Sequence, residues 1–290
     1  MDARLAELVR LLDLERLEVN LFRGESRDIG SPQVFGGQVL GQALKAAYAT
    51  VDADRVAHSL HAYFLKRGDF NAPIVYFVDR SRDGQSFTSR RVTAIQHGEQ
   101  IFHMSASFQL PQSGLEHQTA MPAVPEPESL SDAGLPGRTL SRLPEKLRQF
   151  YARVNPFEFR RVDPVESSPP RSAPPSQNIW IRAVDRLPDD DVLHHCLFAY
   201  VSDFHLLGTA VRPHAEAFLG STLKIASIDH AMWFHRPARV DEWLLCAMDS
   251  PSAFGSRGFA RCSIFARDGR LVGSTAQEGL LRLLPAPPTA

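Results

Sequence analysis

The sequence is poor in the features that announce common chemistries. Its 290 residues hold three cysteines, Cys196, Cys246 and Cys262, an odd number, widely spaced and with no C-x-x-C. Neither a disulfide framework nor a zinc knuckle is supported, and a reducing compartment is the simpler reading. No charge of one sign dominates: the net charge is −1 and the halves show no gross split. A global field that recruits nucleic acid or an anionic membrane is therefore excluded. The N-terminal MDARLAELVRLLDLERLEV is apolar at helical spacing but studded with charge, unlike a signal peptide or a membrane span. The C-terminal PAPPTA carries no S-K-L type peroxisomal address, so the expected location is the cytoplasm. The nucleophile elbow G-x-S-x-G, the phosphate loops G-x-x-x-x-G-K-[ST] and G-x-G-x-x-G, and the zinc motif H-E-x-x-H are all missing.

What is there is a repetition. HAYFLKRGD from His61 returns as HAMWFHRPA from His230, with His61, Ala62 and Arg67 matched by His230, Ala231 and Arg236 at a shift of 169. The His97-Gly98 turn returns as Asp268-Gly269 at a shift of 171. A nearly constant shift over some forty residues points to one structural unit in two diverged copies.

Each copy reads as a helix followed by strands. Asp2 is placed to cap a first helix whose Leu5, Leu8, Val9 and Leu12 share a face, and an extended stretch through Val19, Leu21 and Phe22 follows. The helix from Val34 to Thr50 is small over much of its surface, through Gly37, Gly41, Ala43, Ala46 and Ala47, and invites another backbone to approach closely. Period-two segments Ser59–Leu65, Pro73–Arg82, Phe87–Gln96 and Gln100–Leu110 read as strands with turns at Gly68, Gly84 and Gly98. Twelve of the 21 prolines fall between Pro111 and Pro175, which marks a linker, with one helix expected near Ser141–Ala152. The second unit opens at Asn178–Ile181. It continues through a helix over Asp191–Leu207 and strands Ala226–Phe234, Glu242–Asp249, Gly258–Ala266 and Leu271–Leu284. Periodicity alone gives an α+β unit present twice; by analogy this is a double hotdog, each long antiparallel sheet wrapped around a central helix. The expected division is 1–112 for the first unit, 113–177 for the linker and 178–290 for the second.

The copies differ in chemistry. From Phe35 to Thr50 the first helix has no carboxylate, whereas the second carries Asp203 among apolar neighbours in FAYVSDFHLLGTA. An acid there is costly to bury unless paired or put to use, though a solvated face or a cap also accounts for it. Ser227 opens the apolar strand SIDHAMWF and Gln277 sits in STAQEGLLRLL; a structural serine and an edge glutamine are the plain readings. His58 and His61, three apart on a strand, point to opposite faces, and His194 and His195 diverge on a helix, so no metal site is expected. His58 lacks a carboxylate partner and reads as a satisfied core or interface histidine. His230 and Asp229, adjacent on a strand, form no ready dyad.

The strings VFGGQVLGQAL, HSLHAYFLKRGD, RDGQSF, RRVTAIQ, SIDHAMWFHRP, EWLL and STAQEG resemble the acyl-CoA thioesterase II family, with bacterial and peroxisomal members, from about Leu14 to Arg282. The resemblance implies a double hotdog that hydrolyses fatty acyl-CoA to free acid and CoA without metal or organic cofactor. It carries the family's catalytic groups onto Asp203 of Tyr200-Val201-Ser202-Asp203, onto Ser227, where relatives have Thr, and onto Gln277 of S-T-x-Q-E-G. All three lie in the second copy, so one active site per chain is expected. Arg67, Arg90, Arg236 and Arg257 are of the type that meets CoA phosphates, without assignment. Medium- to long-chain acyl-CoA as substrate and assembly into homo-oligomers, tetramers among them, follow as expectations. A hydratase is disfavoured because no G-D-x-N-P-x-H motif occurs. A non-catalytic acyl-CoA-binding or sensing protein is the alternative from another class.

Overall fold

The computed structural model describes residues 1–31, 33–130, 156–162, 172–219 and 223–284. Asp2 caps α1 (Ala3–Leu12) by accepting from Arg4 N at 2.9 Å, and Leu5, Leu8, Leu11 and Leu12 are buried along one side. Strands β1 (Glu15–Glu18) and β2 (Leu21–Gly24) precede α2 (Gly36–Tyr48). Then come β3 (Val56–Phe64), β4 (Ile74–Asp83), β5 (Phe87–Gln96) and β6 (Glu99–Gln109), each within three residues of the sequence expectation.

The second half holds β7 (Phe157–Arg161), β8 (Ser176–Ala183) and α3 (Asp191–Ser202). The short α4 (Leu206–Val211) and α5 (Ala215–Leu219) follow. Strands β9 (Leu223–Ser227), β10 (Asp229–Phe234), β11 (Leu244–Phe254), β12 (Arg257–Ala266) and β13 (Leu271–Leu283) complete it. All strands join one antiparallel sheet in the order β1-β2-β4-β5-β6-β3-β10-β13-β12-β11-β8-β7, with β9 also on β13. The two halves meet where β3 pairs with β10, Ala62 opposite His230 and Leu60 opposite Met232. This is the double hotdog architecture, and the two long helices pack against each other inside it. A Cβ on Gly37 would lie 2.2 Å from the Tyr200 carbonyl oxygen, and one on Gly41 would lie 2.9 Å from that of Cys196. The small residues of α2 thus admit α3, the other half's helix, at backbone contact. A core cluster continuous across both halves surrounds the pair.

Three expectations are refined. The helix expected over Asp191–Leu207 stops at Ser202, because His205 takes a left-handed conformation (φ 63°) and the chain restarts as α4. The strand expected over Ala226–Phe234 is interrupted at Ile228, the place at which β3 carries its own irregularity between Ala57 and Ser59. The stretch read as linker contributes β7, which pairs with β8 at the end of the sheet. Its residues Met121, Val124 and Leu130 cover an outer apolar patch of Trp180, Trp243, Leu245 and Phe265, and Trp180 Nε1 donates to Pro125 O at 3.0 Å. The helix expected near Ser141–Ala152 lies outside the described residues.

The repetition itself has a different register. Leu65 N and Lys66 N donate to Ile101 O, and His235 N and Arg236 N donate to Val272 O in the same way. His61 pairs with Ser105, and Ala231 with Ala276. Equivalent places therefore lie 170 apart in β3 and 171 apart in β6. The sequence identity at 169 is one residue out of step, and one residue on a strand reverses the face. His61 is exposed, whereas His230, equivalent to Leu60, is fully buried.

Candidate active site

The site forms where the end of α3, the break between β9 and β10, strand β13 and the start of α2 converge. The first turn of α2 has no acidic residue, and its cap position, Phe35, offers no side-chain acceptor. The N–H groups of a helix start need partners from elsewhere. Asp203, the C-terminal cap residue of α3, reaches this helix start from across the interface between halves, beside Gly36, and the Gly37 N–H favours its ionised form. An acid at this place also meets the positive end of α2.

Gln277 is fully buried in the interior strand β13, not on an edge. Its Nε2 donates to Asp203 Oδ1 at 2.7 Å and to Ser227 Oγ at 3.1 Å. One amide nitrogen thus draws together the three residues that the sequence resemblance singled out. Its Oε1 has no hydrogen-bond partner among the described residues. Asp203 has only 6% of its side chain exposed. Burial raises its pKa to about 6, against the opposing hydrogen bonds from Gln277 and Gly37. Such a carboxylate is ionised at neutral pH yet far more basic than an exposed one, which suits a general base. Ser227 opens onto a hollow of about 50 Å³ lined by Val34, Gly36, Val39, Phe64 and Phe102, all from the first half. A larger hollow of about 490 Å³, bordered by His214, Phe254, Arg257 and Leu281, touches none of the three groups.

The corresponding places in the first half are empty of chemistry. Ala57 stands for Ser227 and Ala106 for Gln277, by strand register, and Ala49 caps α2 where Asp203 caps α3.

Sequence reasoning passed over two residues. The sequence marks Gly37 by its size only, not by its N–H. His230 was set aside as a neighbour of Asp229, but its Nε2 lies 2.9 Å from Ser202 Oγ and its Nδ1 3.9 Å from Asp203 Oδ1. The signal available was an apolar residue, Leu60, at the true equivalent position. Three further histidines are used locally. His58 Nε2 meets Ser107 Oγ at 2.8 Å, His195 Nδ1 meets Tyr48 OH at 3.0 Å, and Val240 N donates to His194 Nδ1 at 3.3 Å. Arg90 is buried against Thr50 and Asp83, Arg236 donates to Leu271 O, and Arg257 pairs with Glu278. Among the described residues no group of three or more His, Cys, Asp or Glu side chains is placed to hold a metal ion, and no helix is long and apolar enough to cross a membrane.

Comparison with known proteins bears on this geometry. A family model described as acyl-CoA thioesterase matches residues 160–280, and one described as acyl-CoA thioesterase N-terminal domain matches residues 23–109. Acyl-CoA thioesterase 2 of Haemophilus influenzae is 44% identical over 279 residues, covering 96% of this chain and 98% of that protein. Acyl-coenzyme A thioesterase 8 of Homo sapiens is 40% identical over 297 residues, covering 98% and 91%. The crystal structure of an acyl-CoA thioesterase II from Mycobacterium marinum superposes with a TM-score of 0.79 at 44% identity, over 96% of this chain and 99% of that one. A hotdog-fold protein from Alicyclobacillus acidocaldarius superposes at 0.74 with 19% identity, a likeness of fold alone.

Proposed function

The chain belongs to the acyl-CoA thioesterase family, and from that premise we propose that it hydrolyses acyl-CoA to free fatty acid and CoA with Asp203, Ser227 and Gln277 as its catalytic group. The observation that carries the reading is the Gln277 amide bonded to both Asp203 and Ser227.

A water held between the Asp203 carboxylate and the Ser227 hydroxyl attacks the thioester carbonyl carbon. Asp203 takes the water proton as general base, an effect of about 10²–10⁴-fold. Gln277 fixes the two oxygens that hold the water, a positioning effect. The carbonyl oxygen gains negative charge beside Gly36, at the positive end of α2. Collapse of the tetrahedral species breaks the C–S bond, and the proton on Asp203 passes to the departing thiolate. Ser227 acts as a hydrogen-bonding group and not as a nucleophile, since among the described residues no base is paired with its hydroxyl in the way covalent catalysis requires.

The finer features belong to the same reading: medium- to long-chain substrates, homo-oligomers up to tetramers, a cytoplasmic location, and a division into units 1–112 and 178–290 joined by 113–177. The apolar side chains Val34, Val39, Phe64 and Phe102 support the first carbons of an acyl chain beside Ser227, the hollow of about 50 Å³ being too small for a whole chain. Release of free thiol from a series of acyl-CoA substrates tests the proposal. Turnover that depends on Asp203 is expected, and binding of every chain length without thiol release would replace it with a sensing protein.

A further inference from the structure

Behind Asp203, away from the hollow, lies a side chain for which the hydrolytic scheme has no task. His230 on β10 is fully buried. The single proton of the Ser202 hydroxyl goes to Ala199 O at 2.9 Å, one helical turn back. Ser202 therefore meets His230 Nε2, 2.9 Å away, as an acceptor, and the proton of a neutral imidazole sits on Nε2. Nδ1 is left as a bare lone pair, with no hydrogen-bond partner among the described residues, 3.9 Å from Asp203 Oδ1. Burial holds the ring neutral by pushing its pKa down to about 3. A lone pair facing a carboxylate oxygen repels it; the same lone pair facing a protonated carboxyl accepts its hydrogen once the two groups close up.

The structure assigns His230 as a positioning residue: locked by Ser202 in the Nε2–H form, it presents Asp203 with an acceptor that is satisfied only while the carboxyl carries the proton taken from water. The inference rests on the reading of Asp203 as the general base. The first half supports it independently, because the place of His230 is held there by Leu60 and the places of Asp203, Ser227 and Gln277 by alanines. The histidine is absent where the catalytic group is absent.

Other ionisable groups face the pair from the packed elements. On α3, Tyr200 stands one turn back, buried; beyond the helix end, His205 is engaged by Arg161. On β10 and β13, Asp229 Oδ1 accepts from Glu278 N at 2.6 Å, and the Glu278 carboxylate pairs with Arg257. At the rim of the hollow Lys66 pairs with Glu99. None of these is removed by changing His230.

Two variants test the assignment: His230→Leu, which installs the first half's own residue, and Ser202→Ala, which frees the imidazole to place its proton on Nδ1 and donate to Asp203. The Asp203 carboxyl is titrated by carbon-13 NMR in the folded protein, and the pH profile of kcat/KM is recorded beside it. Both changes are expected to move the Asp203 titration and the acid limb to lower pH by about one unit, with kcat on the plateau lowered about threefold or more and KM held. An unmoved or upward-moved Asp203 titration in a folded variant overturns the assignment; if His230→Leu does not fold, Ser202→Ala carries the test alone. Because the titration is read without turnover, its failure is separable from failure of the catalytic reading, which would show as full activity in Asp203→Asn.

Discussion

Gly37, at the start of the first half's helix, brings its backbone N–H to bear on the carboxylate of Asp203, at the end of the second half's helix, and with Gln277 opposes the effect of burial on that acid. This approach of the two helices requires that position 37 have no side chain. A Cβ there would meet the Tyr200 carbonyl oxygen, a backbone atom that has nowhere to go, at 2.2 Å. Gly37→Ala is expected to force the helices apart, with a loss of about 1–3 kcal/mol of stability and a fall in kcat. Chemical denaturation and steady-state kinetics on the same preparation check both.

Asp203→Asn should remove the proposed base while keeping the shape, lowering kcat at least ~100-fold. It should also stabilise the protein, in a pH-dependent way. Burial raises the Asp203 pKa from 3.8 to about 6, so the folded state holds that proton more tightly than the unfolded chain. Stability from this group is fully present below pH 4 and is lost as pH rises through 6, an amount of up to about 3 kcal/mol. The asparagine variant escapes the loss: its Tm should exceed that of the parent at pH 7.5 and match it only near pH 3. Equal Tm values at pH 7.5 would contradict a base raised by burial.

Gln277→Glu replaces the donor that joins Asp203 to Ser227 with a second carboxylate. Two acids sharing one site cannot both ionise readily, so the acid limb of the pH–rate profile should move upward. Activity at neutral pH should fall by about 10²-fold as both hydrogen bonds are lost.

Acid should weaken the fold through buried histidines. Burial depresses His195 to about 4, and His205 and His230 to about 3, with Arg161 adding to the effect at His205. A histidine kept neutral in the fold contributes stability that is present above pH 6.5 and lost as pH falls towards its folded value. Urea unfolding at pH 7.5 and 5.0 should show a loss of about 2 kcal/mol for each of the three, partly offset by the opposite behaviour of Asp203. A flat stability between these values would mean that the rings take up protons in the fold as readily as in the unfolded chain.

Much of the architecture was legible in the sequence. Strand β5 was read with its observed ends, because Thr88, Arg90, Val92, Ala94 and Gln96 alternate inward without interruption. Strand β11 runs on to Phe254 where the reading stopped at Asp249. The Ser-Pro that looks like an ending is accommodated by a shift of register between Asp249 and Ser252. The break at Ile228 and the left-handed His205 are decided by tertiary packing and leave no local mark. The proposed catalytic group is visible as three residue types in one copy, and family resemblance joins them. Strand period and spacing alone left Gln277 an edge residue. His230 escaped because identity was counted at 169 while the strands are in register at 170, and a single step exchanges the buried face for the exposed one.

The pairing of β3 with β10 has a consequence for any attempt to divide the protein. Cut in the exposed stretch near residue 115, each piece would keep a four-strand meander but end on a raw strand whose unpaired N–H and C=O groups seek a partner. The first piece would hold most of the wall of the hollow, and the second the acid, the hydroxyl and the amide. Neither would be a smaller enzyme. Each would be half of a template for the other, competing with copies of itself, and turnover would return only when the unlike pieces zipped together.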